Sequence, residues 1–428
     1  MQILLGINKD NQNEKVILDT QKVINGHTMI VGASGTGKTY NLRKLIRNLI
    51  KNPKVQVSVL DVHGDIDIGD DVTSTVKFSE TSEVGLPFLN ISSDPDFGGV
   101  RKKIQSVLST INRTSRKLQS KQESTFRNLL IDLYAINGFY PNRPDSWDIN
   151  NEIRKNPRYK KRYPSIEDLR KITEYKLKQM IIGGNQEAVA KFEELSSKVK
   201  SLHKGIKKSN NNQDFDLNGL KEKCIETYKE ALDSIKSGQE LDQLIKYDSK
   251  DVLKSVYERV VNLENSGIFK NKTPEFDPNK QVKRYNIKSL NKDEQKMFVD
   301  VLLEEIYFLA KQNGEQSEPI NFIVIDEAHM FITEEDEHII NIIAKEARKF
   351  GVALILASQA FTHFSDDIIQ STMIKIVLGI DEMFYKSSAV KLNISPKRFS
   401  NIIPMKTAMI QIKNKKSTKN QFIDVLLN

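Results

Sequence analysis

The chain has 428 residues, longer than one hydrophobic core usually serves, so two or three compact units are expected. Its 65 Lys and Arg against 56 Asp and Glu leave a net charge of +9, which suits a polyanionic partner but also any Lys-rich background. The composition, 38% hydrophobic and 28% charged, excludes a disordered chain, and one cysteine, Cys224, excludes internal disulfides and Cys-cluster metal sites.

Residues 1–26 alternate apolar and polar positions in QILLGIN and KVILDT, on either side of NKDNQNE, and predict a β-hairpin. No basic leader with a long apolar run is read there, and the longest apolar runs, FIVI and VALILA, are far below the roughly 20 residues of a membrane span. A soluble, cytoplasmic protein without a membrane partner is expected. Residues 27–99 then read as a strand, a Gly-rich turn, a helix with Leu42, Leu45, Ile46 and Leu49 on one face, a second strand VQVSVLD, and a short third around TVKF.

Residues 100–270 change character. Apolar positions fall at helical spacing in IQSVLSTI, TFRNLLIDLY and LKSVYERVVNLE, and this stretch is expected to be a helical insertion. Ser165 with Asp168 three residues on marks a helix start, and KGIKKSNNNQDFD reads as a linker. Strands return in 271–428: QVKRYNI, FIVID, VALILAS, IKIVLGI, TAMIQIK and QFIDVLL, with helices at about Lys292–Lys311 and within EHIINIIAKEARKF. The alternation predicts an α/β core with a mostly parallel sheet.

The chemistry gathers at strand ends. GASGTGKTY, from Gly32 through Ala33, Ser34, Gly35, Thr36, Gly37, Lys38 and Thr39 to Tyr40, holds the spacing Gly-x-x-x-x-Gly-Lys-Ser/Thr between a strand and a helix. Such a loop turns backbone N–H groups onto phosphate, Lys38 reaches the β- and γ-phosphates, and Thr39 ligates Mg2+. FIVIDE supplies Asp326 to hold Mg2+ and Glu327 to activate water, which predicts ATP hydrolysis. Gln359, just past VALILAS, falls at the same sheet edge and suits a γ-phosphate sensor. Arg348 precedes that strand at the opposite edge, so it suits an arginine finger for a neighbouring subunit or, equally, a solvated helix end. Asp61, His63 and Asp65 cluster after the second strand and read as a polar loop facing nucleotide or DNA rather than a metal site.

HTMIVGASGTGKT, VLDVHGD, VIDEAH and EARKFGVALILASQ occur in the order and context of the HerA/FtsK superfamily of ring ATPases, and the chain resembles HerA most over about 27–427. The resemblance implies a RecA-like P-loop core, ATP and Mg2+ as cofactors, a homo-hexamer that moves double-stranded DNA, and a separate nuclease or effector. Many relatives act in DNA end processing or antiphage defence. Catalytic roles carry over to Lys38, Glu327, Gln359 and Arg348, with Arg398 as a second finger candidate. A conjugation or secretion pump, or a ring scaffold switching an effector, are the alternatives. RKKIQ and KGIKK are candidate basic loops for DNA. The chain departs from the family in having only some 26 residues ahead of the phosphate loop where a β-barrel is usual. It also lacks the usual Gly in the turn within IIPMKTAMIQI.

Overall fold

The computed structural model describes residues 1–96, 98–151, 161–182, 186–209, 216–235, 245–415 and 421–427. By internal packing the chain divides into two compact units, 1–86 with 272–428, and 87–271.

The first unit is built on one sheet. Its strands are β1 (Gln2–Asn8), β2 (Lys15–Asp19), β3 (Thr28–Val31), β4 (Gln56–Asp61), β5 (Thr73–Lys77), β6 (Val282–Asn286), β7 (Asn321–Ile325), β8 (Val352–Ser358), β9 (Ile374–Val377), β10 (Thr407–Ile412) and β11 (Phe422–Leu426). They run in the order β2-β1-β11-β10-β9-β3-β8-β7-β4-β6-β5. From β9 to β5 every pairing is parallel, while β10, β11, β1 and β2 continue antiparallel. The predicted hairpin is β1–β2, and its β1 pairs with β11, so it extends the main sheet.

The central strands β3, β7, β8 and β9 are almost wholly buried, as parallel strands covered on both faces must be. One cover is helix α1 (Lys38–Leu49), which turns Leu42, Leu45, Ile46 and Leu49 onto Ile30, Val57, Val59, Ile355 and Ile376. The register sets the functional edge. Val31 lies level with Ser358 and Val377, and Ile325 with Leu60 and Leu356, so the loops after β3, β4, β7 and β8 open at one end.

The second unit is helical: α2 (Val100–Thr114), α3 (Ser120–Ile136), α4 (Ile166–Ile182), α5 (Gln186–Ser209), α6 (Leu217–Asp233) and α7 (Lys250–Asn265). Residues before α2 belong to this core: Phe88 stacks on Phe269 at 4.3 Å, and the Tyr134 hydroxyl donates to the Leu89 carbonyl at 2.8 Å. Helix α4 starts where Ser165 predicts. The Ser165 hydroxyl accepts the Asp168 N–H, and the Asp168 carboxylate accepts the Ser165 N–H, which satisfies two N-terminal donors reciprocally. In the first unit four more helices follow: α8 (Lys292–Gln312), α9 (Ile339–Glu346), α10 (Asp366–Ser371) and α11 (Tyr385–Leu392). The stretch EHIINIIAKEARKF is helical only over Ile339–Glu346. It tightens into a 3-10 turn, Ala347–Phe350, which Gly351 at φ +69° ends before β8.

Candidate active site

The loop from β3 to α1 is pinned at its base and open at its tip. The Gly32 N–H donates to the Ser358 carbonyl at 3.1 Å and the Ala33 N–H to the Gly379 carbonyl at 2.7 Å, tying the loop to β8 and to the end of β9. A Cβ on Gly32 would meet Thr36 Oγ1 at 2.4 Å, and Gly37 holds φ +90° as it enters α1. Both positions therefore require glycine. Ser34 and Gly35 form the exposed tip, Thr36 is buried with its hydroxyl on the Ala33 carbonyl at 2.8 Å, and Tyr40 is exposed one residue after Thr39.

Strand β7 delivers the acids opposite this loop. Asp326 is buried, and its Oδ1 accepts the Glu327 N–H at 3.0 Å. Glu327 sits at φ 48°, a left-handed conformation that side chains other than glycine rarely take. That turn brings Glu327 Oε1 to 3.8 Å from Lys38 Nζ. Backbone strain of this kind collects at sites where geometry matters more than local stability. Burial, then the charges of Glu327 and Asp65, push the Asp326 carboxyl up to about 6, against the pull of the Glu327 N–H and Lys38. A buried carboxylate under this load is a poor resident alone and a good ligand for a cation.

Two histidines that the sequence reading did not single out complete the surroundings. His329 Nδ1 lies 3.2 Å from Glu327 Oε2 without hydrogen-bond alignment, so that oxygen is buried with an open valence. The His363 ring sits 4.8 Å from the His329 ring, and its Nδ1 lies 3.0 Å from Ser358 Oγ. Burial and His329 lower the His363 pKa. The signal was present in DEAHMF and FTHF, but only folding places the rings together.

The other candidates separate. Gln359 is exposed directly after Ser358, whose carbonyl holds Gly32, so it shares the edge of Lys38 and Asp326. Arg348 lies in the turn before β8, at the other end of the sheet. Its exposed side chain has no hydrogen bond or ion pair among the described residues, and it borders a cleft of about 500 Å³ with Asn25, Glu318, Glu346 and Lys349. Arg398 is engaged, donating to Asp424 Oδ1 at 2.9 Å and the Phe422 carbonyl at 3.1 Å. Asp61 does not face outward as its loop suggested. It is fully buried, takes Arg284 Nε at 2.8 Å and accepts the Gly64 and Ile66 N–H groups, so it locks the turn after β4. His63 and Asp65 are exposed on that turn, and among the described residues no His/Cys/Asp/Glu group could hold a metal ion by itself.

Residues 4–94 match the family described as the central domain of the helicase HerA. Over this stretch the chain is similar to HerA, and its core has the RecA-like P-loop fold. Among curated proteins, an uncharacterized protein of Aquifex aeolicus (strain VF5) is 37% identical over 57 residues, 13% of this chain, and the match spans about a fifth (21%) of that relative. Among solved structures, VirB4 of Thermoanaerobacter pseudethanolicus aligns over all of this chain and 96% of its own, with TM-score 0.64 and 13% identity. The plasmid coupling protein TrwB in complex with ADP and Mg2+ aligns over 96% of this chain and 90% of its own, with TM-score 0.51 and 14% identity. At these identities the structures speak for the fold. Among the described residues no helix is long and apolar enough to cross a membrane.

Proposed function

We propose that this HerA-like chain hydrolyses ATP with Mg2+ and, as a homo-hexameric ring, drives double-stranded DNA for a separate nuclease or effector in DNA end processing or antiphage defence. The observation that carries the hydrolytic reading is the pairing of Lys38 with Glu327 at 3.8 Å, held by a strained turn beside the buried Asp326. The open backbone of the Gly32–Thr39 loop cradles phosphates. The Thr39 hydroxyl and Asp326 would hold Mg2+, which supplies neutralisation of phosphate charge when bound. Lys38 exchanges Glu327 for phosphate oxygen. Glu327, its second oxygen open, takes the proton of the attacking water. Gln359 orients that water, and Arg348, whose side chain has no partner among the described residues, serves the site of an adjacent subunit. The nucleotide complexes of TrwB, one with ADP and Mg2+, support the cofactor choice.

The likeness to VirB4 and to a conjugative coupling protein favours a second reading, a conjugation or secretion pump. The deciding experiment is ATP hydrolysis by the purified protein with and without linear duplex DNA, beside Glu327→Gln and Arg348→Ala. Strong stimulation by DNA that both substitutions abolish is expected. Arg348→Ala at wild-type rate removes the trans finger. Hydrolysis indifferent to DNA moves the function to a ring scaffold that switches an effector.

A further inference from the structure

Two polar atoms beside the acid pair of β7 stand unsatisfied. Glu327 Oε2 and His329 Nδ1 are both buried, neither has a hydrogen-bond partner among the described residues, and they lie 3.2 Å apart. Buried polar atoms of folded proteins are nearly always paired, so an orphan calls for a reason. These two orphans are complementary, since an imidazole N–H donates and a carboxylate oxygen accepts. Their separation suits a hydrogen bond, and alignment alone is missing.

The other oxygen of the same carboxylate, Oε1, faces Lys38 Nζ at 3.8 Å. That ion pair is the one hydrolysis must break, because Lys38 is needed on the phosphates. The Glu327 side chain, only 12% exposed, then loses this cation. A buried charge without a partner is costly, and His329 Nδ1 stands within reach to take the place.

The His329 ring is held from several sides. It belongs to the 3-10 turn Ala328–Met330, which the Met330 N–H closes on the Glu327 carbonyl at 2.9 Å. The ring rests 4.8 Å from that of His363. His363 ends the turn Phe361–His363, anchored in the core by the buried Ala360, Phe361 and Phe364. Its Nδ1 lies 3.0 Å from Ser358 Oγ, and the Ser358 carbonyl accepts the Gly32 N–H of the phosphate loop at 3.1 Å. One run of contacts therefore joins the phosphate loop, the end of β8 and the ring that faces Glu327.

We propose that His329 is a positioning residue for Glu327: as Lys38 turns to phosphate, the His329 Nδ1–H bonds Glu327 Oε2 and fixes the carboxylate with Oε1 toward the attacking water. This rests on the reading of Glu327 as the base. The role needs only the neutral imidazole with its proton on Nδ1. His329 acts through Glu327, and His363 keeps its ring in place.

The test uses the full chain, single-turnover hydrolysis of ATP with Mg2+, and equilibrium binding of a non-hydrolysable ATP analogue. His329→Ala should lower the hydrolysis rate by about 10–100-fold while analogue affinity stays within a few-fold of wild type. An Asn amide nitrogen reaches about as far as Nδ1 and a Gln amide nitrogen about as far as Nε2, so His329→Asn should recover most of the rate and His329→Gln should not. In a Glu327→Gln background, His329→Ala should change the residual rate by less than about twofold, because nothing is left to position. Damage to the fold would cut the rate by the same factor in both backgrounds. His329→Ala hydrolysing like wild type overturns the proposal, and so does an equal loss in the two backgrounds. If His329→Ala does not fold, the two amide variants decide, and equal rates from them overturn it. Glu327→Gln at wild-type rate is a separate failure, which removes the base itself and this role with it. A slow Glu327→Gln beside a normal His329→Ala removes the His329 role alone.

Discussion

The two units use charge in opposite ways. In the sheet unit, cations and acids are equal in number, and the fully buried Asp61 is committed to Arg284. In the helical unit the balance fails, with 34 Lys and Arg against 25 Asp and Glu over residues 87–271. Two places in the sheet unit depart from such pairing: the buried Lys375, which donates to the Thr372 carbonyl and to Gln411 Oε1, and the acid pair at the end of β7, where chemistry is expected.

The largest effects should come from breaking that acid pair. Glu327→Gln keeps the size of the side chain but cannot accept a proton. Hydrolysis should fall by about 10²–10⁴-fold while nucleotide affinity stays within a few-fold, read by single-turnover hydrolysis beside equilibrium binding. A variant that loses binding and rate together would show Glu327 to be a holder of Lys38 and not a base. The structural pair should respond in stability instead. Asp61→Ala leaves the Arg284 guanidinium without its partner and frees two loop N–H groups, at a cost of about 3–5 kcal/mol in denaturant unfolding. Arg284→Ala should cost less, because Asp61 keeps its backbone donors.

Much of this was legible in the sequence, for physical reasons. The phosphate loop needs glycine where a Cβ would clash and where φ is positive, so Gly32 and Gly37 marked it outright. The buried strands β3, β7 and β8 are continuous apolar runs, and parallel pairing put Asp326 and Gln359 at one edge. Helix α4 declared its start through Ser165 and Asp168, four residues of local code. What stayed hidden was non-local. Asp61 and Arg284 lie 223 positions apart, and no local pattern says that the acid turns inward to meet the arginine. The His329–His363 contact joins two loops across neighbouring strands. The Glu327 strain is a conformation and leaves no compositional trace.

Asp326 offers a smaller, pH-dependent effect. Its carboxyl is raised from 3.8 to about 6 in the folded protein, chiefly by burial. Between those values the native state holds more protons than the unfolded chain, so stability falls as pH rises through this window. Above pH 7 the ionised group costs about 3 kcal/mol in the absence of metal. Asp326→Asn removes the titration. Without nucleotide or Mg2+, the variant should be more stable than wild type by up to about 2–3 kcal/mol at pH 8 and equal to it near pH 4, while losing hydrolysis. Thermal unfolding at both pH values checks this, and a gap independent of pH would refute the burial argument. Adding Mg2+ with a non-hydrolysable ATP analogue should narrow the gap, since only wild type gains a cation for its carboxylate.

The finest test concerns Met405, in the turn just before β10. It takes φ 63° with most of its surface exposed, so it has left-handed strain and little burial to offset it. Its Cγ would nevertheless lie only 3.5 Å from a Cβ on Gly37, which places the side chain against the phosphate loop. Two substitutions separate these roles. Met405→Gly relieves the strain, worth about 1–2 kcal/mol, but adds about 0.5–1 kcal/mol of chain entropy to the unfolded state, for a net gain of at most about 1.5 kcal/mol. Met405→Ala keeps the strain and removes only the side chain, so its melting temperature should not rise. If the side chain steadies the loop, both variants should raise the KM for ATP a few-fold with kcat unchanged, because ground-state and transition-state binding are lost together. A KM shift in Met405→Gly alone would trace the effect to the backbone of the turn instead.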